Sequence, residues 1–298
     1  MITRIIKTVA VIIILIITVQ DISILGNERK PMKIYIVCDL EGVAGVIDHK
    51  QQCSWNVSED WYAGYLDQAR RLATLELNAL VEGALEAGAT EIVAWDGHGM
   101  FPGCIDIELL HPECKLIMGA GDRGPVGLDS TFDGLFQLGL HAMKNTEKAV
   151  LCHGGWKLND RAIGEIGMNC LIAGYYDIPC LLVCGDKAAA EEAAALVPGI
   201  ETAVVKEALF DDVRGLRQAP ALTLSPAKAR EIIRETARKA ITKIGKIRPV
   251  CFRPPYRLQW EFSQAGYADD FAASNPEAVR IDSLTVELRN RDLMKLVE

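Results

Sequence analysis

Apolar and polar residues fall along this chain in blocks rather than in simple alternation. Lys33–Cys38 is a short β-branched run that stops at Asp39, and Glu91–Trp95 is another that stops at Asp96. Lys115–Met118 and Pro179–Cys184 are of the same kind, the second ending at Gly185-Asp186. Short apolar runs ended by Asp or Gly predict strands buried on both faces. Segments with helical spacing lie between them. Ser58-Glu59-Asp60 opens a predicted helix to about Ala87, with Leu72, Leu75, Leu80 and Leu85 near one face and Gly88 as its stop. Phe132–Ala142 is read as a helix, Ala149–Cys152 as a strand, Ile163–Tyr176 as a helix and Ala188–Leu196 as an alanine-rich helix.

After Thr202–Val205 the pattern loosens. Ser225-Pro226 is an N-cap followed by proline at the first helical position, which predicts a helix to about Ile244. Strands are expected near Leu258–Phe262 and Leu284–Leu288. Strands alternating with helices predict an α/β fold, a mainly parallel sheet covered by helices on both faces, with a smaller C-terminal α+β part. The expected division is a leader at 1–31, a catalytic α/β domain at 32–206 and the α+β part at 207–298.

The leader has its own logic. Arg4 and Lys7 precede an uncharged apolar run from Thr8 to Val19, the shape of a signal peptide. The run is shorter than the roughly 17–25 residues a spanning helix needs. No small-x-small cleavage site follows, so an uncleaved membrane anchor is the other form this segment can take. Either form predicts an extracytoplasmic protein and membrane contact only through this segment. A translation start at Met32 would instead leave the protein cytoplasmic.

Composition sharpens this picture. The chain has 298 residues, a formal net charge of −8, nine Cys and five His. An acidic chain without a basic footprint argues against nucleic acid as a partner. No CxxC pair or repeated Cys spacing suggests a zinc ribbon or a disulfide scaffold. Cys104 and Cys114 would be the candidate pair in an oxidising compartment. No P-loop or Rossmann glycine fingerprint points to a nucleotide.

The scarce histidines carry the chemistry. Sites in open α/β sheets form where strand carboxyl ends meet their loops. Asp39 and Glu41 follow the first strand, His98 the second, and His153 the Ala149–Cys152 run; His141 ends the Phe132–Ala142 segment, and Glu165 lies at the start of the next helix. Three histidines and three carboxylates at successive element ends, without cysteine, suit zinc in a hydrolase. Three carboxylates can offset most of the charge of two divalent ions. His49 and His111 are read as surface or structural residues.

The segments Cys38–Gly45, Asp96-Gly97-His98, Leu109–Glu113, Gly139–Ala142, Asn159–Asn169 and Ala173–Pro179 occur in an order that resembles the bacterial D-aminopeptidases linked to dipeptide transport. Ser225–Ala229 extends the resemblance, which runs from about Met32 to the C-terminus. It implies a zinc-dependent aminopeptidase with two Zn2+ per subunit. Asp39, Glu41, His98, His141 and Glu165 would be ligands, with Asp39 bridging, and His153 would be catalytic, as nucleophile or as the base for the attacking water. The base role is favoured chemically, because a metal already activates water. The implied substrates are short peptides with an N-terminal D-residue, of the D-Ala-D-Ala type, and the implied assembly is a ring-like homo-oligomer. The short stretch Gly154–Leu158, the Met100–Pro112 loop and the short tail after Asn290 depart from the family pattern. Two other functions use the same residues: a binuclear metal hydrolase of another amide or of a phosphoester, and a non-catalytic peptide-binding protein feeding a transporter.

Overall fold

The computed structural model describes residues 31–54, 63–99, 103–119, 124–211 and 220–297. The leader up to residue 30, the expected helix start at Ser58–Asp60 and Phe101-Pro102 of the Met100–Pro112 loop lie outside them. In chain order the elements are β1 (Lys33–Cys38), α1 (Ala63–Glu86), β2 (Glu91–Asp96), β3 (Cys114–Ile117), β4 (Gly134–Leu140), β5 (Trp156–Leu158), β6 (Arg161–Ile163), α2 (Glu165–Tyr175), β7 (Cys180–Asp186), α3 (Lys187–Leu196), β8 (Glu201–Ala208), β9 (Ala221–Thr223), α4 (Pro226–Ile241), β10 (Tyr256–Glu261), α5 (Ala265–Ser274), β11 (Val279–Arg280), β12 (Thr285–Asn290) and α6 (Met294–Val297).

The main sheet has the order β3-β2-β1-β4-β7-β8-β9 and is parallel except for its last strand. The chain steps outward from β1 to β3, then returns to the other side of β1 with β4. Neighbouring loops therefore part in opposite directions at the carboxyl ends of β1 and β4, and a crevice opens there. Ile34, Tyr35, Ile36, Leu135, Phe136 and Leu138 are fully buried in these two strands. Each aliphatic or aromatic side chain so buried contributes about 1.5–3 kcal/mol. The α/β architecture, mainly parallel with helices around it, is as the chain's patterning predicts.

Two element readings are corrected. Phe132–Ala142 is not a helix; Gly134–Leu140 is β4, the strand between β1 and β7. All seven of its residues are buried, so it has no polar face to show a period. Short apolar runs of this kind cannot be assigned by periodicity. Its Gly139 has φ +72, and a Cβ there would overlap the Asp39 carbonyl. Only glycine lets β4 pass so close to the end of β1.

Ala149–Cys152 is not a strand either. Leu151 is left-handed at φ 57, and the Val150 amide donates to Asp186 Oδ2 at 2.7 Å instead of to a ladder. These apolar side chains are buried in a loop, which is why they resemble a strand.

The second sheet is antiparallel, in the order β11-β12-β10-β5-β6. Its β5–β6 hairpin turns on Asn159 and Asp160, both with positive φ, the turn type that matches strand twist. This hairpin occupies what had been read as the start of the Ile163–Tyr176 helix, which begins instead at Glu165. β5 thus pairs with β10 of the later chain, and the boundary expected at 206–207 falls inside β8. The described residues from Met32 onward form one compact unit. Helix α4 starts at the Ser225 cap and packs on α1 beside the Glu86–Arg234 ion pair. Among the described residues no helix is long and apolar enough to cross a membrane. All nine cysteines are free, Cys104 and Cys114 included.

Candidate metal centre

The crevice collects side chains from four element ends. Asp39 and Glu41 leave β1, His98 follows β2, His141 follows β4, and Glu165 opens α2. Asp39, Glu41, His98 and His141 are buried and form the floor. The side chains of His153 and Glu165 are 31% and 32% exposed and form the mouth. The five expected ligands and His153 therefore do converge on one pocket.

The turn after β1 fits only because Gly42 lacks a side chain. A Cβ there would overlap the Leu140 carbonyl oxygen at the end of β4. The Gly42 amide instead donates to the Gly139 carbonyl at 2.6 Å. This contact ties the β1 ligands to the strand that delivers His141. Gly154 plays a similar part beside His153. It has φ +63, and a Cβ would lie 2.6 Å from Glu165 Oε1.

Each of the three histidines has one ring nitrogen against a backbone carbonyl. His98 Nε2 lies 2.7 Å from the Cys53 carbonyl, His141 Nδ1 2.9 Å from that of Ala142, and His153 Nδ1 2.9 Å from that of Leu151. A carbonyl only accepts, so these nitrogens carry the proton. The other nitrogen of each ring is then turned toward the carboxylates, the orientation that metal-binding imidazoles take from their outer partners.

Those second nitrogens meet the carboxylates closely. His98 Nδ1 is 2.8 Å from Asp39 Oδ1 and 3.1 Å from Glu41 Oε2. His141 Nε2 is 3.5 Å from both Asp39 Oδ2 and Glu165 Oε2. It is buried and has no hydrogen-bond partner. Leaving such an atom unsatisfied costs about 1–3 kcal/mol, which a bound cation would remove. Two sets of ligand atoms lie within 4.8 Å of one another: Asp39, Glu41 and His141, and His141, His153 and Glu165. The donor set of imidazole and carboxylate fits zinc or a similar divalent ion.

His141 belongs to both sets through its one remaining nitrogen. Asp39 turns one oxygen to His98 and the other to His141. His153 stacks on His141, with ring centroids 3.8 Å apart and planes at 19°. Its Nε2 is 4.0 Å from Glu165 Oε1, the longest of these contacts.

The electrostatics fit a cation as well. Burial, with Glu41 beside it, pushes the Asp39 carboxyl up to about 6. Burial also opposes the charge on Glu41, but His98, His153 and His141 outweigh it and hold Glu41 well below the usual carboxylate range. Burial would lower His98 and His141. Glu41 and Asp39 raise the first well above its ordinary value, and Glu165 with Asp39 does the same for the second. The carboxylates thus draw positive charge onto His98 and His141.

One histidine was misplaced by the sequence. His49 lies in a single π-helical turn, His49–Cys53, capped by Asp48. Its Nε2 is 3.6 Å from Glu41 Oε1, and its ring stands edge-on to His153 at 5.8 Å. Gln52 folds this segment inward by accepting from the Ile47 and Asp48 amides and donating to the Gly45 carbonyl. The signal available was the same turn's Cys53, whose carbonyl holds His98. His111 accepts from the Glu113 amide in its loop, a structural role as expected.

The sequence model of peptidase family M55, described as D-aminopeptidase, matches residues 32–298. A D-aminopeptidase of Bacillus subtilis (strain 168) is 33% identical over 276 residues, 89% of this chain and 93% of the relative. Among solved structures, the Zn-dependent D-aminopeptidase DppA from Bacillus subtilis, a self-compartmentalizing protease, superposes with a TM-score of 0.76 at 33% identity. That match covers 88% of this chain and 93% of the other.

Proposed function

The chain belongs to the M55 D-aminopeptidase family, a family of hydrolases, and from that premise we propose that it is a two-zinc enzyme removing N-terminal D-residues from short peptides of the D-Ala-D-Ala type. One observation supports this most. Three imidazoles, each held by a backbone carbonyl, turn their other nitrogens onto three shared carboxylates. A peptide-binding protein without turnover has no use for that arrangement.

Asp39, Glu41, His98, His141 and Glu165 would hold the ions, with Asp39 between them. When bound, zinc supplies Lewis acidity at the scissile carbonyl and lowers the pKa of water to about 7. The chain's own residues do the rest. His153, with its Nδ1 proton held by the Leu151 carbonyl, presents a lone pair on Nε2 at the mouth. There it takes a proton from the attacking water as the oxygen–carbon bond forms. It returns that proton to the amide nitrogen as the carbon–nitrogen bond breaks, so the products are a free D-amino acid and a shortened peptide. The test is hydrolysis of D-Ala-D-Ala against L-Ala-L-Ala; cleavage of the L-peptide alone would sink the substrate assignment.

Two further features belong to this proposal. The relative DppA is a self-compartmentalizing protease. We propose that this chain likewise forms a ring-like homo-oligomer, and that residues 1–31 direct it out of the cytoplasm or anchor it to a membrane. Native mass spectrometry of the protein purified from its source reads both features. It should give a closed oligomer of protomers trimmed within, or retaining, the leader. A monomer would contradict the first, and protomers beginning at Met32 the second.

A further inference from the structure

We propose that Lys206 is a positioning residue for the metal pocket, its buried ammonium serving as a fixed internal cation that shapes the turn carrying Glu41. Lys206 lies on β8, separated from β1 by β4 and β7, and is buried. Its Nζ donates to three backbone carbonyls: Glu41, Val43 at 2.9 Å, and Val46. An ammonium has three donors, and all three are spent on a stretch of six residues, 41–46. Carbonyls from residues so close in sequence converge on one point only when the chain is curled around it.

The amides of the same turn are held from other directions. Gly42 donates to the Gly139 carbonyl at 2.6 Å, Ala44 to Glu76 Oε1 on α1 at 3.0 Å, and Gly45 to Thr223 Oγ1 on β9 at 2.9 Å. Lys206 is the part of this scaffold that gathers carbonyls, and the Glu41 carbonyl is among them. The side chain of Glu41 leaves the same residue toward His98 and His49. The three hydrogen bonds of Lys206 go to backbone carbonyls and not to side-chain ligand atoms, so it acts through Glu41. Without its ammonium, three carbonyls face a buried gap and the turn must reopen to satisfy them. Glu41 would then move relative to Asp39 and His98.

The inference rests on the zinc pocket of the proposed function, and zinc binding separates the two. The full-length protein is compared with Lys206→Met, which keeps the chain length and removes every donor, and with Lys206→Gln, which keeps two. Zinc affinity is measured by competition with a chelator, Co2+ is used as a spectroscopic substitute, and thermal unfolding is followed in EDTA. Lys206→Met should fold in EDTA yet bind zinc about 10–100-fold more weakly, as losses of supporting groups around metal ligands do. Its Co2+ absorption bands should shift, and Lys206→Gln should lie between the two proteins. Wild-type zinc affinity and an unchanged Co2+ spectrum in Lys206→Met would overturn the proposal and leave Lys206 a structural residue. Failure of both variants to fold would overturn it as well, because a positioning role requires a fold that survives its loss. A wild-type protein that binds no zinc would instead sink the pocket itself.

Discussion

Replacing His153 with alanine should lower kcat by about 10²–10⁴-fold, the usual worth of a positioned general acid–base group, while leaving zinc content unchanged. At 1.36 kcal/mol for each factor of ten, that is about 3–5 kcal/mol of transition-state stabilisation. The expectation of unchanged zinc comes from place and distance. The histidines of the floor are buried, whereas His153 is about a third exposed at the mouth. Its Nε2 is 4.0 Å from Glu165, against 3.5 Å for His141. Because His153, Glu165 and His141 also satisfy the distances of a ligand triad, the variant decides between two roles. Metal analysis showing half the wild-type zinc would make His153 a ligand. Full zinc with kcat intact would remove it from the chemistry altogether.

Asp39→Ala should abolish both zinc binding and turnover. Asp39 faces His98 with one oxygen and His141 with the other, so its loss opens both halves of the pocket at once. Two stoichiometric zinc ions retained in the variant would contradict its bridging place. Protons compete for the same carboxylate. Because the folded protein pushes the Asp39 carboxyl from 3.8 up to about 6, zinc affinity should fall as the pH drops through about 6.

The stability consequence has opposite signs with and without metal. In EDTA, a carboxyl raised in the fold contributes stability that is complete below the unfolded value of 3.8 and is lost as the pH rises through about 6. Zinc binds the ionised form and reverses that loss. At about one hundred times its dissociation constant, zinc adds about 2.7 kcal/mol. Thermal unfolding with zinc and with EDTA should therefore diverge as the pH rises through about 6. Parallel curves across that range would contradict the assignment of Asp39.

Much of this pocket is legible before any coordinates. β1, β2 and β7 are apolar runs that end at Asp39, Asp96 and Asp186, and the parallel fold sends such ends to one edge. His141 was placed at the end of a helix that is really β4. Its position at the carboxyl end of an element survived the error, and that position brings it to Asp39. What could not be read depends on contacts between distant residues. β4 has no polar face, so nothing in its pattern separates strand from helix. β5 pairs with β10, far along the chain, and no local pattern encodes that pairing. His49 looked solvated among Asp48 and Lys50 because its inward turn depends on the side chain of Gln52. Lys206 follows the Thr202–Val205 run with nothing in the sequence to mark it, since only the folded chain shows three carbonyls around its ammonium.

The most direct test of the account is the ratio of kcat/KM for D-Ala-D-Ala to that for L-Ala-L-Ala, measured on protein stripped with EDTA and then restored with zinc. The account predicts no turnover of either peptide by the stripped protein, and recovery on zinc addition with the D-peptide strongly preferred. Turnover that survives stripping, or a preference for the L-peptide after restoration, would contradict it.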